Sequence, residues 1–344
     1  MAILTNKQAL KNAKEVSGCK LKVLGHYKNG NHYETIFEDG TRVRQTIDTE
    51  DDRLLYEFPS NFDLKITNMC PVGCKYCHES STPNGVHGDI LNMRFIDTLV
   101  PGTEVAIGGG SALSHPDLIP FLKKLKKQGA LANITVNQKE LMRPELATIM
   151  KNVLQKKLVH GVGVSLTDNK TFNKVVDDIF GDYPNLVVHT IAGIFDGYDL
   201  PCIKGRKMLI LGYKDLKGRR AGDYYDKEKE VVETKIKLLK EHLPDVFAIA
   251  KLVSFDCLAI KQLDPKEVLG LSDEDWDLMF QGDDYASDED KKASSTLYID
   301  AVTRTVARAS THPLNERVPF SNENITELFA MSKAKSTTGD KENA

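Results

Sequence analysis

The sequence predicts an α/β protein: a parallel sheet of six strands closing partly into a barrel, preceded by an antiparallel β-meander and followed by a C-terminal extension. Three observations predict it. Short apolar runs alternate with amphipathic stretches from Asn61 to Phe255. Two hairpin dipeptides, Asn29-Gly30 and Asp39-Gly40, punctuate the chain before that, and the alternation ends after Asp264. Alternating strands and helices require right-handed βαβ crossovers, and so a parallel sheet whose chemistry gathers at the C-terminal ends of its strands.

The elements follow in order. "LKVLGHY", "HYETIFE" and "TRVRQTI" form the meander, because Asn-Gly and Asp-Gly accept the positive φ of tight hairpin turns. "DTEDDR" is a charged connector, and residues 1–58 are assigned to this first unit. The core, 59–262, opens with the strand "FDLKIT", which runs into a cysteine-rich loop, and continues with "TEVAIGGG", a strand ending in glycines. "HPDLIPFLKKLKKQG" is a helix with apolar residues at 118, 119, 122 and 125 and a glycine stop. "LANITVN", "LVHGVGVSL", "NLVVHTIAGI" and "KMLILGY" are further strands, separated by the helices "PELATIMKNVLQKK" and "NKTFNKVVDDIF". "DKEKEVVETKIKLLKEHL" is a long amphipathic helix expected to stop near Pro244, before the apolar run "FAIAKLVSF". The extension, 263–332, holds an acidic, turn-rich stretch and the terminal hairpin "STLYIDAVTRTVARAS"; the polar tail 333–344 is expected to be disordered.

Composition narrows the function classes. The net charge is −3, which excludes a chain that binds polyanions through its overall charge, although a local basic patch stays open. No run approaches the 18 or so consecutive apolar residues of a membrane helix, and the N-terminus lacks a signal-peptide core. The expected location is the cytoplasm, with no membrane partner. Thiols stay reduced there, so the six cysteines (19, 70, 74, 77, 202 and 257) read as ligands or isolated thiols rather than as a disulfide framework.

Three of them, Cys70, Cys74 and Cys77, fall within "MCPVGCKYCHES". Three thiolates hold an iron–sulfur cluster with one iron left open to a small molecule. The competing reading is a zinc site with His78 as the fourth ligand, against which stands the difficulty of bringing adjacent residues 77 and 78 to one ion. Cys19, Cys202 and Cys257 are isolated.

The spacing CxxxCxxC on a loop leaving a first strand resembles that of the radical S-adenosylmethionine superfamily. The resemblance covers roughly residues 60–260 and implies a 4Fe-4S cluster on Cys70, Cys74 and Cys77. It implies further that S-adenosylmethionine occupies the open iron and is cleaved by one electron to a 5′-deoxyadenosyl radical, which takes hydrogen from a substrate. It places Tyr76 against the adenine, Gly108, Gly109 and Gly110 beside the methionine amino group, Ser165 at the ribose and "TIAGI" (190–194) along the adenine. Many members follow the glycines with Glu-Pro, where Ser111-Ala112 stand here. Ser165 read without the resemblance is a strand-end hydroxyl, and "GGG" a flexible turn. A flavodoxin- or ferredoxin-type electron donor is implied as partner.

Longer phrases, "FDLKITNMCPVGCKYCHESSTPNGVHGD" and "LYIDAVTRTVARAS" among them, are similar to radical S-adenosylmethionine proteins of bacteriophages and mobile elements. One role in that group is DNA hypermodification, in which an isomerase moves an amino acid on the thymine methyl carbon from nitrogen- to carbon-linkage. Modified DNA or a nucleotide is then the expected partner. Radical modification of a peptide or metabolite, and a non-catalytic iron–sulfur module, are the alternatives; no second cysteine cluster follows the core. His78, Glu79, Asn137 and Asp256 are the candidate catalytic groups. The loop "LGYKDLKGRR" offers Lys214, Arg219 and Arg220 to a substrate phosphate, or is a solvated surface loop.

Overall fold

A computed structural model describes residues 3–18, 20–50, 53–198, 200–279 and 295–334. Cys19, the stretch 280–294 within the acidic segment, and the tail from 335 lie outside them.

The meander forms as an antiparallel sheet of β1 (Val23–Asn29), β2 (His32–Phe37) and β3 (Arg42–Thr46), in that order. A helix absent from the sequence reading, α1 (Asn6–Val16), packs on it through Ala9 and Ala13, fully buried at i and i+4. Its sequence signal is the cap: the Thr5 hydroxyl accepts the Gln8 N–H at 3.4 Å.

The large sheet has ten strands. Seven run parallel in sequence order: β4 (Asn61–Thr67), β5 (Glu104–Gly109), β6 (Leu131–Asn137), β7 (Gly161–Ser165), β8 (Leu186–Ile191), β9 (Lys207–Leu211) and β10 (Leu252–Phe255). On the other side of β4 lie β11 (Thr296–Asp300), parallel to it, then β12 (Thr305–Ala307) and β13 (Val318–Pro319), both antiparallel. The expected α/β class holds, with more parallel strands than the six read from the sequence. Residues 263–332, set apart as an extension, contribute three strands to this same sheet. Their polar and apolar residues alternate in phase with those of β4, so the hairpin completes a wall.

The helices cover one face. They are α2 (Arg94–Asp97), α3 (Leu118–Gln128), α4 (Gln138–Leu141), α5 (Pro144–Gln155), α6 (Asn169–Phe180), α7 (Leu200–Ile203), α8 (Arg220–Ile249), α9 (Cys257–Leu263), α10 (Pro265–Leu269), α11 (Asp273–Met279) and α12 (Ile325–Ala334). No helix among the described residues is long and apolar enough to cross a membrane. The expected stop at Pro244 does not occur: α8 continues to Ile249. Leu243 and Val246 on either side of the proline are fully buried, and that burial outweighs the lost backbone hydrogen bond.

Alternation sets the two faces of the sheet apart. Phe62, Leu64 and Ile66 of β4, Val105 and Ile107 of β5, and Ile134 and Val136 of β6 pack into the core beneath the helices. Their neighbours face a concave surface and stay open to solvent: Asp63, Ala106, Asn133, Thr135 and His189. Asp63 is exposed and His189 half-buried on this open side of the sheet, the lumen. The meander sits at the N-terminal ends of the strands. Arg42 ties it there, donating to Glu34 at 2.7 Å, to Glu104 at 3.1 Å and to the Gly102 carbonyl at 3.3 Å. Burial would raise the Glu34 carboxyl, but hydrogen bonds from His32 and Ser60 and the charges of Arg42 and Arg44 bring it down to about 2. The C-terminal ends are thereby left to the cysteine loop.

Candidate active site

The cysteine loop leaves β4 and is folded back on itself. Cys70 N–H donates to the Thr82 carbonyl at 2.8 Å, Thr82 N–H to Asn68 at 3.0 Å, and Gly88 N–H to Ile66 at 2.9 Å. The glycines ending β5 are stitched to it: Gly110 N–H donates to Thr67, and Ser111 N–H to Met69, each at 2.7 Å. These contacts explain two of the three glycines. A Cβ at Gly109, whose φ is +106°, would lie 2.5 Å from the Thr67 oxygen, and one at Gly110 would lie 2.3 Å from the Met69 oxygen. A Cβ at Gly108 would meet nothing within 4 Å. Of the three, Gly108 alone borders open space, while Gly109 and Gly110 hold the cysteine loop close to β5. Gly110→Ala is therefore expected to destabilise by about 1–3 kcal/mol through overpacking, and Gly108→Ala by no more than about 0.5 kcal/mol. Urea unfolding of the two variants checks this contrast.

Cys70, Cys74 and Cys77 are half-buried free thiols that act on one another electrostatically. Burial pushes the Cys74 thiol up to about 11, and its neighbours Cys77 and Cys70 add to the rise while Lys139 and Arg220 oppose it. Burial likewise holds Cys70 above its ordinary value, against the backbone N–H groups of Val72 and Gly73 directed at its sulfur. Asn137 at the end of β6 offers its side-chain N–H to Cys74 Sγ at 3.8 Å, and its carbonyl oxygen accepts Lys139 N–H to cap α4. Among the described residues no three His, Cys, Asp or Glu side chains converge to hold a single metal ion.

His78 contacts the next residue: its Nε2 lies 3.4 Å from Glu79 Oε1. Glu79 in turn meets Lys65 Nζ at 2.7 Å and accepts from the Tyr298 hydroxyl at 3.4 Å. Burial alone would raise the Glu79 carboxyl, but His78 and Lys65 hold it far below the usual carboxylate range. Lys65 also reaches Asp300 at 3.3 Å, and Asp300 pairs with the fully buried Arg317 at 3.1 Å. Arg317 stacks 4.7 Å above the Tyr298 ring. The hairpin β11–β12 is thus bolted to β4 by charges that sequence reasoning missed. Their signal was present: "NFDLKIT" and "LYID" put Asp63, Lys65, Tyr298 and Asp300 on the polar side of strands whose other side is apolar.

The remaining candidates fall in different places. Tyr76 packs edge-on against Tyr224, with ring centroids 6.0 Å apart. Ser165 ends β7, in register with Asn137 of β6 and His189 of β8. The His189 ring lies over Gly163, where a Cβ would come within 2.2 Å of it, and enclosure brings its pKa down to about 4. Asp256 caps α9: its Oδ1 accepts Gly212 N–H at 2.8 Å and Ala259 N–H at 2.7 Å. The basic loop reaches the cysteine loop and the segment after β12. Arg219 donates to the carbonyls of His78 at 3.1 Å, Ser310 at 3.3 Å and His312 at 3.3 Å. Arg220 donates to the Ser81 carbonyl and, through its backbone N–H, to the Ser80 hydroxyl at 2.9 Å. The two arginines close the wall between β9 and the cysteine loop. Lys214 touches Ser310 Oγ at 3.4 Å.

No family model matches the sequence, and no curated protein is similar to it. Among solved structures the chain is similar to SuiB of Streptococcus suis bound to the precursor peptide SuiA, with a TM-score of 0.52 and 15% identity over 81% of this chain and 65% of that one. It is also similar to SuiB bound to S-adenosylmethionine, with a TM-score of 0.49 and 14% identity over 81% and 66% of the two chains. The chain spans just under two thirds of the length of SuiB. At this identity the likeness is one of fold: this chain shares with SuiB a mixed α/β architecture built on a large parallel sheet.

Proposed function

We propose that the protein is a radical S-adenosylmethionine enzyme. One observation carries the reading: three cysteines spaced CxxxCxxC are presented at the C-terminal end of the first parallel strand, directly beside the open glycine edge of the second. The donor set fits a 4Fe-4S cluster. Three neighbouring thiols that act on one another electrostatically are the ligand type that iron–sulfur clusters take. The N–H groups of Val72, Gly73 and Asn137 are aimed at sulfur, as befits thiolate ligands. A zinc ion with His78 as fourth ligand is disfavoured, because that imidazole faces Glu79.

Bound there, cluster and S-adenosylmethionine would supply a 5′-deoxyadenosyl radical. The chain's own share is positional. Cys70, Cys74 and Cys77 would hold the cluster, the Gly108 edge would leave room for the methionine end, and Tyr76 and Ser165 would border the nucleoside. The lumen below would receive the substrate. A flavodoxin- or ferredoxin-type donor provides the electron.

For the substrate, we favour an aminoacylated thymine, isomerised from nitrogen- to carbon-linkage, on the likeness of the sequence phrases to phage-type radical enzymes. Phosphate binding by Arg219 does not support this reading, because its guanidinium donates to three backbone carbonyls, and Arg220 already donates to the Ser81 carbonyl. Peptide modification is the second reading, in view of the shared fold with SuiB and its structure with a precursor peptide.

The test is anaerobic reconstitution, followed by reduction with dithionite in the presence of S-adenosylmethionine. About four irons per chain and slow formation of 5′-deoxyadenosine are expected. Iron without 5′-deoxyadenosine would leave a binding module. A colourless protein with one zinc would overturn the reading entirely.

A further inference from the structure

The meander ends in an open edge. Its strand order is β1, β2, β3, and among the described residues no strand continues the sheet beyond β3. The phase of the β2–β3 ladder is fixed at both ends. Phe37 N–H donates to the Thr41 carbonyl at 2.9 Å, and Ile47 N–H to the Asn31 carbonyl at 2.8 Å. Bonded and non-bonded positions alternate in an antiparallel pair, so Val43 and Gln45 bond inwards to β2. The backbone N–H and C=O groups of Arg42, Arg44 and Thr46 therefore point outwards. A groove of about 590 Å³ lies along this strand, lined by every residue of β3 together with Leu4, Asn12 and Leu54.

Edge strands are ordinarily guarded by a proline, a bulge or a charge held over the edge, because unpaired backbone groups recruit other strands. None of these guards operates on β3. It contains no proline, and its register with β2 shows no bulge. Its two charges are turned into the fold: Arg42 and Arg44 lie 2.7 and 3.5 Å from the Glu34 carboxylate. The Gln45 amide is spent on the Ala9 carbonyl of α1 at 2.8 Å. Just past β3 the chain itself extends the sheet: Leu4 N–H donates to the Ile47 carbonyl at 2.8 Å, and Ile3 bridges Asp48 antiparallel. Thr5 then caps α1 and the chain leaves, so the line of Arg42, Arg44 and Thr46 is not covered by it. Donors and acceptors on alternate residues are matched by another extended backbone. We propose that the β3 edge docks an extended polypeptide segment of another protein, which joins the meander as its fourth strand and lays apolar side chains against Leu4, Val43 and Leu54. The site lies on the meander, at the opposite ends of the strands from the cysteine loop, and is independent of the radical-enzyme reading.

The experiment is residue-resolved amide hydrogen exchange on the full chain. The probe is an acetylated and amidated heptapeptide of alternating valine and threonine, at millimolar concentration. Without peptide, the amides of Val43 and Gln45 should exchange slowly and those of Arg44 and Thr46 fast. With peptide, Arg44 and Thr46 should slow at least about tenfold, and the same peptide N-methylated at every residue should leave them unchanged. Thr46→Pro deletes one outward N–H at a position where an edge strand tolerates proline, and should weaken peptide binding at least about tenfold. An unaltered urea midpoint in that variant shows the fold intact, and the wild-type exchange pattern decides the matter if the midpoint falls. Arg44 and Thr46 amides that ignore the peptide, or equal protection by the N-methylated control, would overturn the proposal. So would slowing of the same amides with rising protein concentration in the absence of peptide, which would assign the edge to a second copy of this chain. The measurement needs neither iron nor S-adenosylmethionine, so its failure and that of the radical-enzyme reading are distinct.

Discussion

Alanine at Cys70, Cys74 or Cys77 abolishes cluster binding and brings S-adenosylmethionine cleavage to background: this is the largest effect expected of any single substitution in the chain. On the proposed reading each cysteine would serve one corner, and a cluster left with two protein ligands would be lost to solvent and oxygen. The effect should be confined to these three. Cys202 is buried beside α6, its thiol 3.5 Å from the Asn169 carbonyl, and Cys257 begins α9. Alanine at either should leave the iron content unchanged. Iron analysis and the visible absorption of anaerobically reconstituted variants decide the matter. Equal iron in Cys74→Ala and wild type would remove Cys74 from the ligand set.

Arg317→Met is expected to cost about 3–5 kcal/mol of stability. The guanidinium is 3% exposed and serves Asp300, the carbonyls of Ser310 and His312, and the face of Tyr298. Its removal strands the Asp300 carboxylate, which is completely buried, with Lys65 as its one remaining ion-pair partner among the described residues. Lys65 cannot serve Asp300 more closely without giving up Glu79, two residues beyond Cys77. Loss at the C-terminal hairpin is therefore transmitted to the cysteine loop, and iron retention should fall along with the urea midpoint. Arg317→Lys should recover only part of the loss, because an ammonium cannot reproduce the planar fork. An unchanged midpoint in Arg317→Met would show that water replaces the guanidinium without penalty.

By itself, the sequence determined the elements and the reactive loop. Strands, meander and helices follow from local periodicity and turn chemistry, which act over a few residues: Gly30, with φ of +57°, turns the β1–β2 hairpin together with Asn31, while Asn29 is already paired to His32 in the strand. The cysteine spacing is legible for the same reason, since all three thiols lie on eight consecutive residues. The tertiary structure alone decided what the polar residues do. Arg219, Arg220 and Asp256 look available in the sequence, yet carbonyls and N–H groups distant along the chain occupy them. Tyr298, Asp300 and Arg317 read as part of an appendage until β11 pairs with β4. Backbone propensity is local, whereas the worth of a charge depends on which groups desolvate and neutralise it, and folding alone brings those groups together.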